Sequence, residues 1–228
     1  MQNFTHFSKK PVASASIGQV HRAKLKTGDD VAVKFIKSEF KRNFSKDVNQ
    51  VKGLFKMIIR VYPKLRSVAN PIGILEDIEN YTLSELNLCN EIKGQRVLKG
   101  IHDDYKDRFD LSKMDFASMY EELSSENVLV TEFISGPTLD ELLEEGKMDY
   151  DTLLDFFHVF GFYVFIVGTF HGDIHPGNII LRDGKFVFVD CGSIGKVGPK
   201  IRHGLFNFFK HLSNWEYEEC AYWLNKMA

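Results

Sequence analysis

Two strand-like runs, Val20 to Leu25 and Val31 to Ile36, flank Lys26-Thr27-Gly28-Asp29. Such runs around a Gly-containing turn predict a β-hairpin. Successive side chains on a strand point to opposite faces, so Ala32, Lys34 and Ile36 share one face and Val31, Val33 and Phe35 the other. From Phe44 to Tyr62 the period changes. Val48, Val51, Phe55, Ile58 and Tyr62 recur at helical spacing, and Pro63 stops the stripe. Thr82-x-x-Glu85 reads as a capping box opening a second helix that runs to about Gly100. Residues 101–120 are charged and weakly periodic and predict an exposed connection or a short helix. Glu126 to Ile134 returns to strand character before the break Ser135-Gly136-Pro137. A helix from Thr138 to about Glu145 follows, then a long apolar helix from about Tyr150 to Phe170. Asn178 to Leu181 and Phe186 to Val189 flank Arg182-Asp183-Gly184-Lys185, a strong Asp-Gly signal for a second hairpin. No internal repeat or low-complexity tract interrupts this order.

Composition narrows the picture. A chain of 228 residues with 44% hydrophobic and 26% charged residues makes one sizeable domain, or two small lobes sharing a cleft, and is not a disordered sequence. The net charge of −2 advertises neither nucleic acid nor an anionic membrane, so any phosphate chemistry must be local. Phe supplies 20 of the aromatic residues, which points to a greasy interior and some greasy surface. Cys89, Cys191 and Cys220 have no metal-ligand spacing, and an odd number of cysteines fits a reducing, intracellular, cytoplasmic setting better than a disulfide framework. The start, MQNFTHFSKKP, has the pattern of neither a secretory nor a transit peptide. Phe156 to Gly172 contains no Asp, Glu, Lys or Arg, but it is short of the about 20 residues of a membrane span, holds Gly161, Gly168 and His158, and reads as a buried core helix.

Four short stretches carry candidate chemistry. Ala13-Ser14-Ala15-Ser16-Ile17-Gly18-Gln19-Val20 fits the spacing G-x-G-x-x-G-x-V with Ala in the first two Gly places. Small residues let backbone N–H groups approach phosphate oxygens, though Ala makes such a loop stiffer than Gly. Val31-Ala32-Val33-Lys34 matches the strand on which Lys pairs with nucleotide phosphates and Ala packs against the base. Glu85 and Glu91 are candidate helix partners for Lys34. On a single helix they would lie about 120° apart, so they cannot share one role; Glu91 is assigned to Lys34, and Glu85 to an acidic role near the phosphates. His171-Gly172-Asp173-Ile174-His175-Pro176-Gly177-Asn178 places Asp173 and Asn178 at the spacing of a kinase catalytic loop, with Asp173 as base and Asn178 on Mg²⁺. The alternative, His171 and His175 as metal ligands of a hydrolase, lacks a third ligand nearby. Val189-Asp190-Cys191-Gly192 stands where D-F-G would, with Asp190 as the second Mg²⁺ ligand. Thr131-Glu132-Phe133-Ile134 reads as a hinge whose backbone groups at Glu132 and Ile134 meet an adenine edge.

The run PVASASIGQVHRAKLKTGDDVAVK, the HGDIHPGN loop and the D-C-G together resemble the UbiB (AarF-related, ADCK-type) atypical kinases. The likeness runs from Pro11 to about Gly192. It implies an α+β, protein-kinase-like two-lobe fold: a small antiparallel-sheet lobe with inserted helices over residues 1–134, and a shortened helical lobe over residues 135–228. It further implies ATP or ADP with Mg²⁺, and a role linked to coenzyme Q or other isoprenoid lipid metabolism. Nucleotide is then the primary partner, with isoprenoid lipid or a membrane surface, met peripherally, as a further one; nucleic acid is not expected. The family's small-residue loop falls on Ala13, Ala15 and Ser16, its Lys on Lys34, and its catalytic and metal positions on Asp173, Asn178 and Asp190. This sequence departs from the family in three places. Only ten residues precede Pro11, where the family carries a K-x-G-Q helix. Its E-x-D motif reads Glu85-x-Asn87, and 36 residues follow Gly192, which argues against docking of a protein substrate. The leading expectation is an ATP-dependent phosphotransferase or ATPase. Two others compete with it: a small-molecule phosphotransferase of the aminoglycoside or choline kinase type, which HGDIHPGN also resembles, and a non-catalytic nucleotide-binding regulator.

Overall fold

The computed structural model describes residues 3–14, 18–62 and 70–227, apart from the side chains of residues 38, 39, 84 and 85. In chain order the first elements are β1 (Phe4–Phe7), β2 (Ala13–Ser14), β3 (Gly18–Leu25), β4 (Asp30–Ile36), α1 (Ser38–Val61), α2 (Pro71–Glu85) and α3 (Cys89–Tyr105). Then come β5 (Met114–Asp115), β6 (Val128–Glu132), α4 (Leu139–Glu144), α5 (Tyr150–Gly161) with a π-helical continuation over Phe162–Val167, and β7 (Thr169–His171). The last are β8 (Ile179–Arg182), β9 (Lys185–Phe188), β10 (Ile194–Lys196), α6 (Pro199–Ser213) and α7 (Tyr217–Met227). The chain packs as two compact units, Met1–Ile92 with Ser118–Phe133, and Lys93–Ala117 with Ile134–Ala228.

In the first unit a sheet runs in the order β1-β3-β4-β6, with β2 also paired to β3. The β3–β4 hairpin is the one predicted from the two strand-like runs; its turn holds Gly28 at φ 101°, a left-handed conformation that only glycine adopts without strain. Directly opposed residues on an antiparallel pair point to the same side, so the register Val20↔Lys34 and Arg22↔Ala32 sets these four side chains on one face. Val31, Val33, Ala23, Leu25 and Val130 form a buried cluster, and Ile36, Leu129, Leu86, Leu88 and Ile92 form a second. Helix α1 starts at Ser38, six residues before the periodic stripe, and is tied to α2 by Lys52, whose ammonium lies 2.8 Å from Glu79. Pro63 lies outside the described residues.

The expected helix from Thr82 to Gly100 is two helices. Thr82 lies inside α2, which ends at Glu85, and α3 begins at Cys89. The cap is Asn87, whose Oδ1 accepts the Cys89 N–H at 3.1 Å. Asn satisfies one of the unpaired first-turn donors of a helix, and this is the physical reason the chain restarts there.

In the second unit Leu98, Leu111, Met114, Leu139, Phe156, Val159, Phe162, Tyr163, Ile179, Phe186, Phe188 and Cys191 form a single buried cluster. Leu111 and Met114 come from the stretch expected to be an exposed connection. There β5 pairs in parallel with β9, the second strand of the predicted Asp-Gly hairpin, setting Met114 opposite Phe186, and both Leu111 and Met114 are buried in the cluster. The hairpin turn holds Asp183 at φ 49° and Gly184 at φ 74°, the double left-handed geometry of a type I′ turn. Thr138 caps α4 with the reciprocal capping box to Glu141. The long apolar helix ends three residues earlier than expected, at Val167, because Gly168 turns left-handed at φ 79°. Nor is that helix wholly interior: Phe156, Val159, Phe162 and Tyr163 face the core, whereas Leu154, Phe157 and Ile166 are exposed. Tyr150–Val167 is the one helical stretch among the described residues long and apolar enough to cross a membrane, and 28% of it is buried.

Candidate functional site

The first unit carries the candidate phosphate-facing groups. Strand alternation aims Lys34 from the same face as Ala32, and Lys34 Nζ lies 2.6 Å from Glu91 Oε1. Glu91 sits in the first turn of α3, where the helix N-terminus favours a carboxylate, and its side chain is only 8% exposed against 26% for Lys34. A carboxylate this buried is tolerable only with a cationic partner. Glu85 is on the other helix, α2, and its side chain lies outside the described residues.

Of the loop residues, Ala13 forms the two-residue strand β2 and pairs with Val20, while Ala15 and Ser16 lie outside the described residues. Gly18 is required by space: a Cβ there would come within 2.9 Å of the Phe35 carbonyl oxygen. At the expected hinge the backbone of Glu132 is already engaged. Its N–H donates to the Ser118 carbonyl at 2.8 Å, and its carbonyl accepts the Thr131 hydroxyl at 3.2 Å. Ile134 is buried in the second unit beside Ala117 and Val187.

The second unit carries the acidic candidates, and here the backbone does the positioning. His171 is 1% exposed, and its Nδ1 lies 3.3 Å from the Asp173 N–H, a donor, which leaves Nε2 to carry the proton and donate to the Val189 carbonyl at 3.1 Å. Those partners fix the neutral tautomer. Burial pushes this imidazole below the ordinary histidine range, opposed by the Val189 carbonyl and by Asp190 and Asp173. One buried ring therefore ties the segment holding Asp173 to the residue before Asp190. His175 Nδ1 accepts the Gly177 N–H at 3.1 Å and caps a short 3₁₀ turn, Pro176–Asn178. Both histidines thus engage backbone groups through Nδ1, and no cluster of three metal-ligating His, Cys, Asp or Glu side chains occurs among the described residues.

Asn178 and Asp190 are brought together by the Val189 N–H, which donates to the Asn178 carbonyl at 2.9 Å. The Asn178 Nδ2 lies 3.5 Å from the Asp173 carbonyl, which turns its Oδ1 to the opposite end of the amide. Asp190 is exposed and held at φ 58°, a left-handed conformation that costs a residue with a Cβ about 1–3 kcal/mol. A hard divalent cation of the Mg²⁺ kind takes oxygen donors and retains several waters, and an amide oxygen beside a carboxylate fits that chemistry.

Sequence reasoning missed two positioning residues. A Cβ on Gly94 of α3 would lie 1.8 Å from the Cys191 carbonyl oxygen, so only glycine lets this helix meet the D-C-G turn. Gln95 beside it is buried and donates from Nε2 to the Ala117 carbonyl. An unexplained glycine in the middle of a helical pattern was the available signal.

Over residues 1–224 the chain matches the family model of the ABC1 atypical kinase-like domain. A probable protein kinase UbiB of Sodalis glossinidius is 30% identical over 227 residues, covering 96% of this chain and 40% of that protein. The protein slr0889 of Synechocystis is 26% identical over 231 residues, covering 96% and 55%. Among solved structures, the complex of Rv3197 with erythromycin from Mycobacterium tuberculosis is similar in fold, with a TM-score of 0.69 and 24% identity over 98% of this chain and 55% of that one. The chain thus spans about half or less of the length of these relatives. With an antiparallel-sheet unit, a largely helical one and a family match over nearly every residue, the chain belongs to the ABC1 atypical kinase-like domain family.

Proposed function

We propose that this chain binds ATP or ADP with Mg²⁺ and either transfers the terminal phosphoryl group or hydrolyses ATP, in a role linked to coenzyme Q or other isoprenoid lipids. The observation that carries this reading is the Lys34–Glu91 ion pair at 2.6 Å, which joins a strand lysine to a helix carboxylate 57 positions away. Lys34 holds phosphate oxygens, and Glu91 keeps its ammonium extended toward them. The loop through Ala13, Ala15, Ser16 and Gly18 supplies backbone N–H groups, while Val20 and Ala32 offer the base an apolar surface on the face that carries Lys34. Glu132 and Ile134 bound the base edge. Asp173 accepts the proton of the attacking hydroxyl or water. Asn178 and Asp190 would hold the cation, whose contribution when bound would be to neutralise charge on the transferring phosphoryl group. His171 keeps Asp173 and Asp190 in register without touching substrate.

Mg²⁺-ATP turnover, measured with and without vesicles containing an isoprenoid lipid, tests the proposal. Lys34→Ala should lose most turnover, and Asp173→Asn should retain nucleotide binding while losing at least about a thousandfold in kcat. Nucleotide-dependent thermal stabilisation with no phosphate release under any of these conditions would replace the enzyme reading with the regulator.

A further inference from the structure

Asp173 follows β7 by two residues, and β7 is a weak platform. It is three residues long and among the described residues pairs only with β10, through Ile194↔His171, Gly195↔Phe170 and Lys196↔Thr169. A two-stranded ribbon of that size is not stable by itself, so the path of the chain into Asp173 must be fixed at its ends. The far end is the His171 bridge to Val189. The near end is the π-helical segment, closed by left-handed Gly168.

Arg202, in the first turn of α6, sits at this near end. Its Nη1 donates to the carbonyls of Ile166 at 2.7 Å and Val167 at 2.6 Å. These are the last two carbonyls of the π segment, and groups at a helix C-terminus have no partner within the helix. Gly168 continues the clamp: its N–H donates to the Tyr163 carbonyl, its carbonyl accepts the Val197 N–H at 2.8 Å, and a Cβ on it would come within 2.7 Å of the Val197 carbonyl oxygen. A guanidinium gains nothing from the first turn of its own helix, where the dipole is positive, but is favoured at the negative end of another. The position of Arg202 is therefore explained by what it holds.

We infer that Arg202 is a positioning residue for the Asp173 loop, fixing the point from which β7 carries His171 and Asp173 to their places. The functional part of this inference rests on the proposed role of Asp173; the clamp itself does not.

Hydrogen exchange resolved along the full chain, run beside Mg²⁺-ATP turnover, separates the two. Arg202→Met keeps an apolar stem without donors, and should speed exchange of the amides from Gly168 to Asp173 about tenfold while leaving β3 and β4 unchanged. Arg202→Lys should restore most of that protection. Turnover by the Met variant should fall about tenfold in kcat, with KM for Mg²⁺-ATP unchanged. Wild-type protection in the Met variant, loosening spread equally to β3 and β4, or a Lys variant no better than Met would each overturn the clamp. Arg202→Gln replaces the Met variant should that chain not fold. An inactive wild type would overturn the proposed function, and the exchange result would still decide the clamp.

Discussion

The two units hold their candidate reactive groups by different means. In the first, the chemistry sits in a pair of side chains, Lys34 and Glu91, each keeping the other in place across 57 residues of sequence. In the second, Asp173, Asn178 and Asp190 are placed by hydrogen bonds between main-chain groups, by a neutral histidine and by glycines that permit close approach. A side-chain pair fails through loss of a charge; a main-chain scaffold fails through added bulk or altered protonation.

Lys34→Met should have the largest effect on folding. It leaves the Glu91 carboxylate buried without its lysine and should cost about 3 kcal/mol in denaturant unfolding. Adding Glu91→Met should recover much of that stability. A double variant no more stable than the single one would show that the pair is not what limits the first unit. Gly94→Ala probes the other mechanism. Its Cβ would lie 1.8 Å from a backbone oxygen, so the second unit must rearrange at a cost of about 2 kcal/mol, even though Ala favours a helix. Equal stability of Gly94→Ala and wild type would deny the close approach. Thr138→Ala removes the capping box of α4 and should cost about 1 kcal/mol in denaturant unfolding, the smallest of the three losses.

The gentlest test is a slope. The folded-state pKa of His171 lies below its unfolded value, so the unfolded chain takes up a proton first as pH falls. Its contribution to stability is complete above about pH 6.5 and declines below that, levelling off once the folded state also protonates. His171→Gln should flatten the decline that sets in below about pH 6.5, read from melting temperatures on either side of it. An unchanged slope would show that the imidazole is not the titrating group.

How much of this was legible in the sequence follows from how local each cause is. Both hairpins could be read because their turns carry their own chemistry at Gly28 and at Asp183-Gly184, and because alternation is a property of neighbours. The face shared by Ala32 and Lys34 followed from the same rule. The restart of the helix at Asn87 was obscured by Thr82-x-x-Glu85, a capping pattern that occurs inside α2, where no first turn needs it. Met114 looked exposed because it is buried by pairing with Phe186, 72 residues on, which no local period reports. β7 and β10 are too short to show alternation, and the histidines flanking Asp173 look like ligands until their carbonyl and amide partners are known.

Asp190 carries a consequence for anyone who alters this chain. Its φ of 58° suits glycine, so Asp190→Gly relieves backbone strain while removing a carboxylate that the proposed chemistry needs. Engineering that ranks variants by melting temperature alone will tend to reward this exchange. At position 190 backbone conformation and the proposed chemistry therefore favour different residues, and variants there should be ranked by turnover beside heat resistance.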